Sequence, residues 1–537
     1  MVDYSTLLGN HVTLKCRSID RIFLQAYVPK LQTVGLVIRF LRWVRGVKVP
    51  TSVAFGKIGD AYVKAIYWYA RANHIPIKHF VKGEKKEETA RPYIEAAAKE
   101  GKERVVLIGI CQERARAWRS WRAKGQEKSR YPHMEWGRQQ TFVNHYYFYI
   151  WDREWGPAFW KTNAYAPFPI WIWVNGHEWA KRQLVKIGVH YEALDNGFLS
   201  CTQPDLLQQT CDRLGPGAVK NFFWRWYHRL PSPFTKKDLR AGYVYELAFR
   251  QFEVSETYVL DRPQAGRMWF EGLIRDHLDI GRPEQIKLVF NRRSIGCKPG
   301  RFRTQVITKD VDAMLCCYFR SSRIKEYFKL GRALRIETVI CDTYDFGIGR
   351  RLCAENWRAL RAVGESANQR LSAAQAADAS PAPDVVTFNQ ITRPSALDGL
   401  YAPGIRFGDP RAMAVLASLV HFQHLITGFT NAEFLPLAAK FLGAPYKSRQ
   451  ATYDFRRLKR KGLIARLGNT RRYQVTPLGR RIGVLFTKTF NRVLAPGLTD
   501  LQTALPEAIT NRRPLACAWR RFDRELNTFI TKSLIAA

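Results

Sequence analysis

Apolar and polar positions recur with different periods along successive stretches of the chain, and each change of period predicts an element. Residues 60–72 (DAYVKAIYWYARA) place Tyr62, Ile66, Tyr69 and Ala70 on one helical face. A short apolar strand is expected at 75–81, a charged helix at 84–100, and a buried strand at 104–110 (RVVLIGI). That order predicts a βαβ-like unit. Residues 141–201 alternate strongly enough for strands at 142–151, 158–165, 170–174 and 189–194, with one helix over 177–187. Helix is expected over 204–230. Strands return from 242 to 342, interrupted by a helix near 266–279 and ending in a hairpin, 323–329 and 332–340, hinged at Leu330-Gly331. No internal repeat is evident.

Residues 430–481 carry the most specific local signal. Thr430-Asn-Ala-Glu433 is a capping box that opens a helix reaching to about Leu442. A turn at 445–447 leads to a second helix, 448–461. In it Ala451, Phe455, Leu458 and Gly462 fall at steps of four, three and four, an inward stripe closed by a glycine cap. Two short strands, 463–467 and 473–476, flank Gly468-Asn469-Thr470-Arg471, a sequence suited to a tight hairpin. The stretch RRLKRKGLIARLGNTRRYQVTPLG (456–479) resembles the winged helix-turn-helix domains of bacterial DNA-binding proteins, over about 50 residues. The resemblance implies that the second helix presents Arg449, Tyr453, Arg456, Arg457 and Arg460 to a groove, and that the hairpin brings Arg471 and Arg472 to phosphates.

Charge sharpens this picture. The 537 residues hold 86 Lys and Arg against 46 Asp and Glu, a formal net charge of +40. Such an excess repels itself unless it meets a polyanion, and each neutralised phosphate releases counterions. Nucleic acid, RNA or DNA, is therefore the expected partner. An anionic membrane would favour one basic amphipathic helix, and no apolar run approaches the length of a spanning segment. Ten cysteines without a C-x-x-C spacing predict free thiols, and the N-terminus lacks the pattern of a signal peptide; a bacterial cytoplasm is the expected compartment. Residues 113–138 mix eight Lys/Arg with Trp118, Trp121, Tyr131 and Trp136. On a helix Trp118 and Trp121 would share a face, stacking bases while Arg114, Arg116, Arg119 and Arg122 track a backbone; the other reading makes the tryptophans core anchors. Arg323 and Lys325, with Lys329, Arg332 and Arg335, form a second expected basic surface, with Glu337 as their partner.

The resulting fold class is mixed α/β (α+β), multidomain. Its expected parts are an N-terminal α/β region (1–112), a basic-aromatic connector (113–140), an α/β core (141–235), a β-rich basic domain (236–371), a linker rich in Ala, Ser and Pro (372–384) and the C-terminal domain (385–537). In the core the order β-β-β-α-β is the opening topology of the ribonuclease H-like fold. With the fourth strand parallel to the first, Asp152, Glu178 and Asp195 come to one sheet edge, where three carboxylates can hold Mg²⁺ for phosphodiester cleavage or strand transfer. Each also suits a plain structural place: Asp152 and Asp195 in turns, Glu178 at a helix N-terminus. No P-loop and no histidine-zinc motif is present.

The segments DREWGPAFW (152–160), NGHEWAKRQL (175–184), ALDNGFLSC (193–201), DRPQAGRMWFE (261–271) and ALRIETVICDTYDFGIGRRL (333–352) resemble a widespread family of uncharacterised bacterial proteins, and the resemblance implies a link to mobile elements. The resemblance covers most of the chain and implies no activity and no site residue. Three functions follow in order: a nucleic-acid-binding protein complexed with structured RNA or DNA; a metal-dependent nuclease or recombinase using Asp152, Glu178 and Asp195; and a transcriptional regulator.

Overall fold

In β1, Val12–Tyr27, apolar and polar residues alternate over 16 residues, and the strand pairs on both sides. It is central to a sheet of twelve strands that organises most of the chain. The computed structural model describes residues 8–270 except 82, 126–132, 265 and 269, residues 286–289 and 303–309, and residues 312–488 except 380–382, 398, 422–423, 425–427 and 469, with isolated positions towards either end. These fall into two compact units: 8–268 with 285–368, and a second formed chiefly by 369–537. The helix expected at 266–279 lies mostly outside the described residues, as does Asn469.

After β1 come α1 (Val34–Arg39), α2 (Ala54–Ala72), β2 (Ile77–His79), α3 (Lys86–Glu100), β3 (Arg104–Arg122), β4 (Met134–Asp152), β5 (Gly156–Asn163), β6 (Ile170–Asn175) and α4 (Gly176–Lys186). A hairpin of β7 (Tyr191–Leu194) and β8 (Gly197–Cys201) leads to α5 (Pro204–Arg213), α6 (Pro216–Tyr227) and α7 (Lys236–Arg240). The sheet resumes with β9 (Glu246–Leu260), β10 (Ile286–Val289), β11 (Arg303–Lys309), β12 (Asp312–Phe319), β13 (Ser322–Lys329) and β14 (Ala333–Ile340), followed by α8 (Ala354–Ala379). Across the sheet the order is β10-β11-β12-β13-β14-β9-β1-β6-β5-β4-β3-β2. The expected βαβ unit is present: β2 and β3 pair in parallel, with α3 as the crossover. The hairpin β13–β14 turns at Leu330 and Gly331, both in left-handed backbone.

Three expectations are corrected. One sheet runs through the segments divided at 112, 140 and 235, because β3 and β4 form a hairpin of 19-residue strands and β1 bonds to β9. The strand after α4 does not join that sheet: β7 pairs only with β8, and β6 is flanked by β1. The ribonuclease H-like order therefore stops after its helix. The alanine-rich start of the expected linker continues α8 as far as Ala379, since alanine is the best helix former.

β1 also carries a bulge. Ile19 pairs with Val254 and Ile22 with Phe252, so Asp20 and Arg21 both oppose the single residue Glu253. The extra residue keeps Ile19 and Ile22 on one face although they are three apart. That face, with Leu24, Ile172, Trp160, Phe148, Phe249 and Val254, forms the main core.

In the second unit α9 (Val385–Thr392), the hairpin β15 (Ser395–Leu397) and β16 (Leu400–Ala402), and α10 (Pro410–Leu419) precede α11 (Asn431–Leu442), α12 (Ser448–Arg460), the hairpin β17 (Ile464–Arg466) and β18 (Tyr473–Val475), and α13 (Pro477–Lys488). The capping box of α11 is formed in both directions by Thr430 and Glu433. Ala451, Phe455 and Leu458 point inward as expected and pack with Phe429, Phe434 and Ile464.

Candidate metal centre and basic helix

Three neighbouring strands each place one carboxylate on the sheet face opposite the main core. Asp20 lies on β1, Glu253 on β9 and Glu337 on β14, and each has an oxygen within 4.8 Å of the other two. All three side chains are buried, at 1%, 2% and 2% exposure. Buried charge must be paired or neutralised, and here the pairing is incomplete. Arg335, fully buried on β14, reaches Asp20 Oδ2 at 3.0 Å and Glu337 Oε1 at 2.9 Å. Lys325 on β13 lies 2.7 Å from Glu337 Oε2, and Tyr327 donates to Glu337 Oε1 at 2.8 Å. Glu253 Oε1 accepts from Gln251, whereas Glu253 Oε2 is buried with no hydrogen-bond donor, Lys325 standing 4.0 Å away. Two bases thus contact the three acids, and the charge of Arg21 beside Asp20 acts on all three. Burial pushes the Asp20 carboxyl up to about 7; Arg335 opposes the rise, and Glu337 and Glu253 add to it. Glu337 goes the other way: burial would raise it, but Lys325 and Arg335 hold it well below the usual carboxylate range. Of these two acids, Asp20 takes up a proton more readily than Glu337.

Surrounding residues hold Asp20 in place. Asn175 Nδ2 and Asn196 Nδ2 each donate to Asp20 Oδ1 at 2.8 Å. Asn175 also caps α4, its side chain accepting from the backbone N–H groups of His177 and Glu178. Gly176 is obligatory because a Cβ there would collide with the Ile19 carbonyl oxygen. His177 Nε2 lies 2.7 Å from Arg335 Nη2 and 2.9 Å from Ser255 Oγ. Burial, reinforced by Arg335, depresses its pKa well below the ordinary value, so the neutral ring accepts from the guanidinium. Asn196 Oδ1 accepts from Lys329, and Arg335 Nη1 is 3.3 Å away. The segments NGHE, LDNG and RIET, far apart in the chain, thus converge on one carboxyl.

The acids expected to form a metal site do not meet there. Asp152 is fully buried and saturated: Oδ1 accepts from the N–H groups of Glu154 (2.8 Å) and Trp155 (2.9 Å), and Oδ2 from Arg225 and Trp226. Burial raises its pKa, but the Trp226 indole and the Arg225 charge hold it below the ordinary value. It builds the β4–β5 turn. Glu178 on α4 pairs with Lys181 at 2.6 Å, and the same lysine donates to the carbonyl oxygen of Asp195. The Asp195 carboxylate is 68% exposed and pairs with Lys329 at 2.9 Å. Among the described residues Asp152, Glu178 and Asp195 do not come within ligand distance of one another, and β7, which carries the chain to Asp195, lies outside the sheet. Asn175, the cap of the helix that carries Glu178, and Asn196, next to Asp195, do reach the carboxylate centre.

The basic surfaces divide similarly. Residues expected on a stacking helix lie on β3, where positions three apart face opposite ways. Trp118 is buried and donates to the Leu31 carbonyl at 2.9 Å, a core anchor, while Trp121 is exposed and donates to Glu135 at 2.7 Å. Arg114, Arg116, Arg119 and Arg122 are exposed along the hairpin. On β13, Arg323 is half-buried and Lys325 turns to the carboxylates; Lys329 and Arg335 are buried rather than part of a surface. On α12, Arg449, Tyr453 and Arg456 are exposed. Arg457 instead donates to the carbonyls of Pro403 and Gly404, and Arg460 to that of Tyr401 at 2.7 Å, fastening the chain beyond β16. Arg471 is exposed, and Arg472 pairs with Glu433 at 2.9 Å.

Comparison of the chain with family models, with curated proteins and with solved structures returns no match. Among the described residues no helix is long and apolar enough to cross a membrane.

Proposed function

We propose that the protein binds nucleic acid and carries out metal-dependent phosphodiester chemistry at Asp20, Glu253 and Glu337. The observation that carries this reading is the buried Glu253 Oε2, an acceptor without a donor, in a cluster whose acids outnumber its contacting bases. Carboxylate oxygens are the ligands that Mg²⁺ and Mn²⁺ prefer, so the residues present fit such an ion. A divalent ion bound there supplies a Lewis acid beside a phosphodiester. The chain's own residues then have separate tasks. Arg335 and the two asparagines fix Asp20, Lys325 holds Glu337, and Arg21, exposed on the bulge beside Asp20, meets a phosphate. The net charge of +40 draws in the polymer. The order α11, turn, α12, β17–β18 resembles a winged helix, and its docking side is Arg449, Tyr453, Arg456 and Arg471.

The test pairs binding with turnover. Titrating the protein with Mn²⁺ in a calorimeter should give saturable binding that Asp20→Asn and Glu253→Gln abolish. Incubation with Mg²⁺ and plasmid DNA or a structured RNA should give cleavage that the same variants lose. A folded wild type that neither binds Mn²⁺ nor changes its melting temperature with it would overturn the metal reading. A second reading, binding without catalysis, is favoured by the fact that Arg335 and Lys325 already pair with the three acids, Lys325 reaching Glu253 at 4.0 Å. It predicts unchanged nucleic-acid affinity in Asp20→Asn.

A further inference from the structure

The carboxylate centre is buried, so the surface beside it decides which form of polymer can approach. In β5, β6 and β1 one face is apolar and buried (Ala158, Trp160, Ile172, Val174, Ile22 and Leu24), while Phe159, Lys161, Trp171, Trp173 and Phe23 on the other face are half-buried. Strand register joins these into a continuous strip. Phe159 stands opposite Trp173, Trp173 opposite Phe23, and Lys161 opposite Trp171. The ring centroids of Phe159 and Trp173 lie 6.0 Å apart, and those of Phe23 and Trp173 4.9 Å apart, with interplanar angles of 25° and 32°. Three rings therefore form one aromatic row across three strands. At one end, Lys161 and Lys86 share the single acid Glu113, which leaves one positive charge uncompensated. At the other end stands the exposed Arg21, next to Asp20.

We infer that this strip binds an unpaired, single-stranded segment of nucleic acid and leads it to the carboxylate centre. The inference rests on the nucleic-acid reading above and adds the substrate form. Half-open rings beside cations can stack on the faces of bases only where those faces are available, and in a duplex they are taken up by neighbouring pairs. An open sheet face bearing aromatic side chains is a surface on which unpaired bases stack. Arg21 and the Lys161–Lys86 pair give the strip the charge a phosphate backbone requires, which a plain apolar docking surface would lack. Phe23, at the β1 end of the row, carries the stacking with Trp173 packed behind it, and Arg21 aligns the backbone beside Asp20.

The experiment measures binding of the full-length protein in EDTA, so that cleavage plays no part. The probes are a 20-nucleotide oligouridylate, a 20-nucleotide oligothymidylate and a mixed-sequence 20-base-pair DNA duplex. Trp173→Ala and Phe23→Ala should each weaken single-strand binding about ten-fold, Trp173→Phe should retain most of it, and duplex affinity should not move. Comparing the two single strands shows whether the segment is RNA or DNA. Because the alanine variants could misfold, wild-type protein is also photocross-linked to a 5-bromouridine oligonucleotide and the adduct mapped by mass spectrometry. Adducts at Trp171, Trp173 or Phe23 support the inference. Adducts confined to other regions, or folded alanine variants that bind single strands like wild type, overturn it. A wild type that binds only duplex sinks this inference and spares the broader reading; one that binds no nucleic acid sinks both.

Discussion

Asp20 sits buried with two other carboxyls, a cluster that favours a shared proton or a bound cation. Its carboxyl ionises near pH 7 in the folded chain but near 3.8 when unfolded. The folded state therefore binds the extra proton between those values, and stability from this group is present at low pH and lost as pH rises towards 7. In EDTA the wild type should melt at a lower temperature at pH 8 than at pH 5.5, and Asp20→Asn should flatten that difference; a wild-type melting curve independent of pH would contradict the assignment. Divalent ions compete with the same proton, so Mn²⁺ affinity should fall below pH 7. At Gly176 the test is steric. Gly176→Ala drives a methyl group into the Ile19 carbonyl and should cost about 1–3 kcal/mol in urea unfolding. The centre is hard to read in the chain because Asp20, Glu253 and Glu337 come from three separate strands, and Glu253 shares its strand with the equally buried Glu256. What the sequence did hold was an acid inside an apolar run, as in SIDRIF and ALRIETVI. Asp152 and Asp195 stand out in the sequence because turns advertise their acids, and the structure places both at turns.

At the scale of elements, local rules served well where one signal dominated. The capping box at Thr430, the stripe of α12, the β13–β14 hinge and the β2-α3-β3 unit all follow from caps, period and turn residues. They failed at residues 113–138, where Trp118 and Trp121 fit helical spacing equally well; the long partner strand β4, pairing residue by residue, decided for strand. Helix α12 separates two kinds of arginine that the sequence could not distinguish. Arg449→Ala removes an exposed charge and should weaken nucleic-acid binding, lowering the slope of log affinity against log salt by about one, with the melting temperature unchanged. Arg457→Ala releases the carbonyls of Pro403 and Gly404 and should instead lower the melting temperature, by several degrees at most. If the two variants behave alike, the division of labour along α12 is wrong.

For the whole molecule, one sheet binds together segments that composition divides. Strand neighbours such as β1 and β9 are more than 200 residues apart, and no local pattern announces such a pairing. The alternation along each strand was legible, but its partners were not, and the site is made of partners. A chain of this charge should show a steep salt dependence. Between about 50 and 200 mM salt, affinity for duplex DNA should fall by about 10³ or more if six or more phosphates are neutralised, and filter binding across that range measures it. A nearly flat profile would remove electrostatics as the source of affinity.

The bulge in β1 has a consequence for how this gene can change. Cys16 and Ser18 share a face with Phe23 and Gln25 only because one additional residue intervenes at Asp20-Arg21. Losing a single codon there would turn half of the strand inside out, exchanging Ile19 for its neighbours and taking the carboxyl away from Glu253 and Glu337 together. Substitution can be gradual at this point, but length cannot. A deletion scan should therefore find the spacing from Ile19 to Ile22 as intolerant as the carboxyl itself, even though Arg21 is exposed.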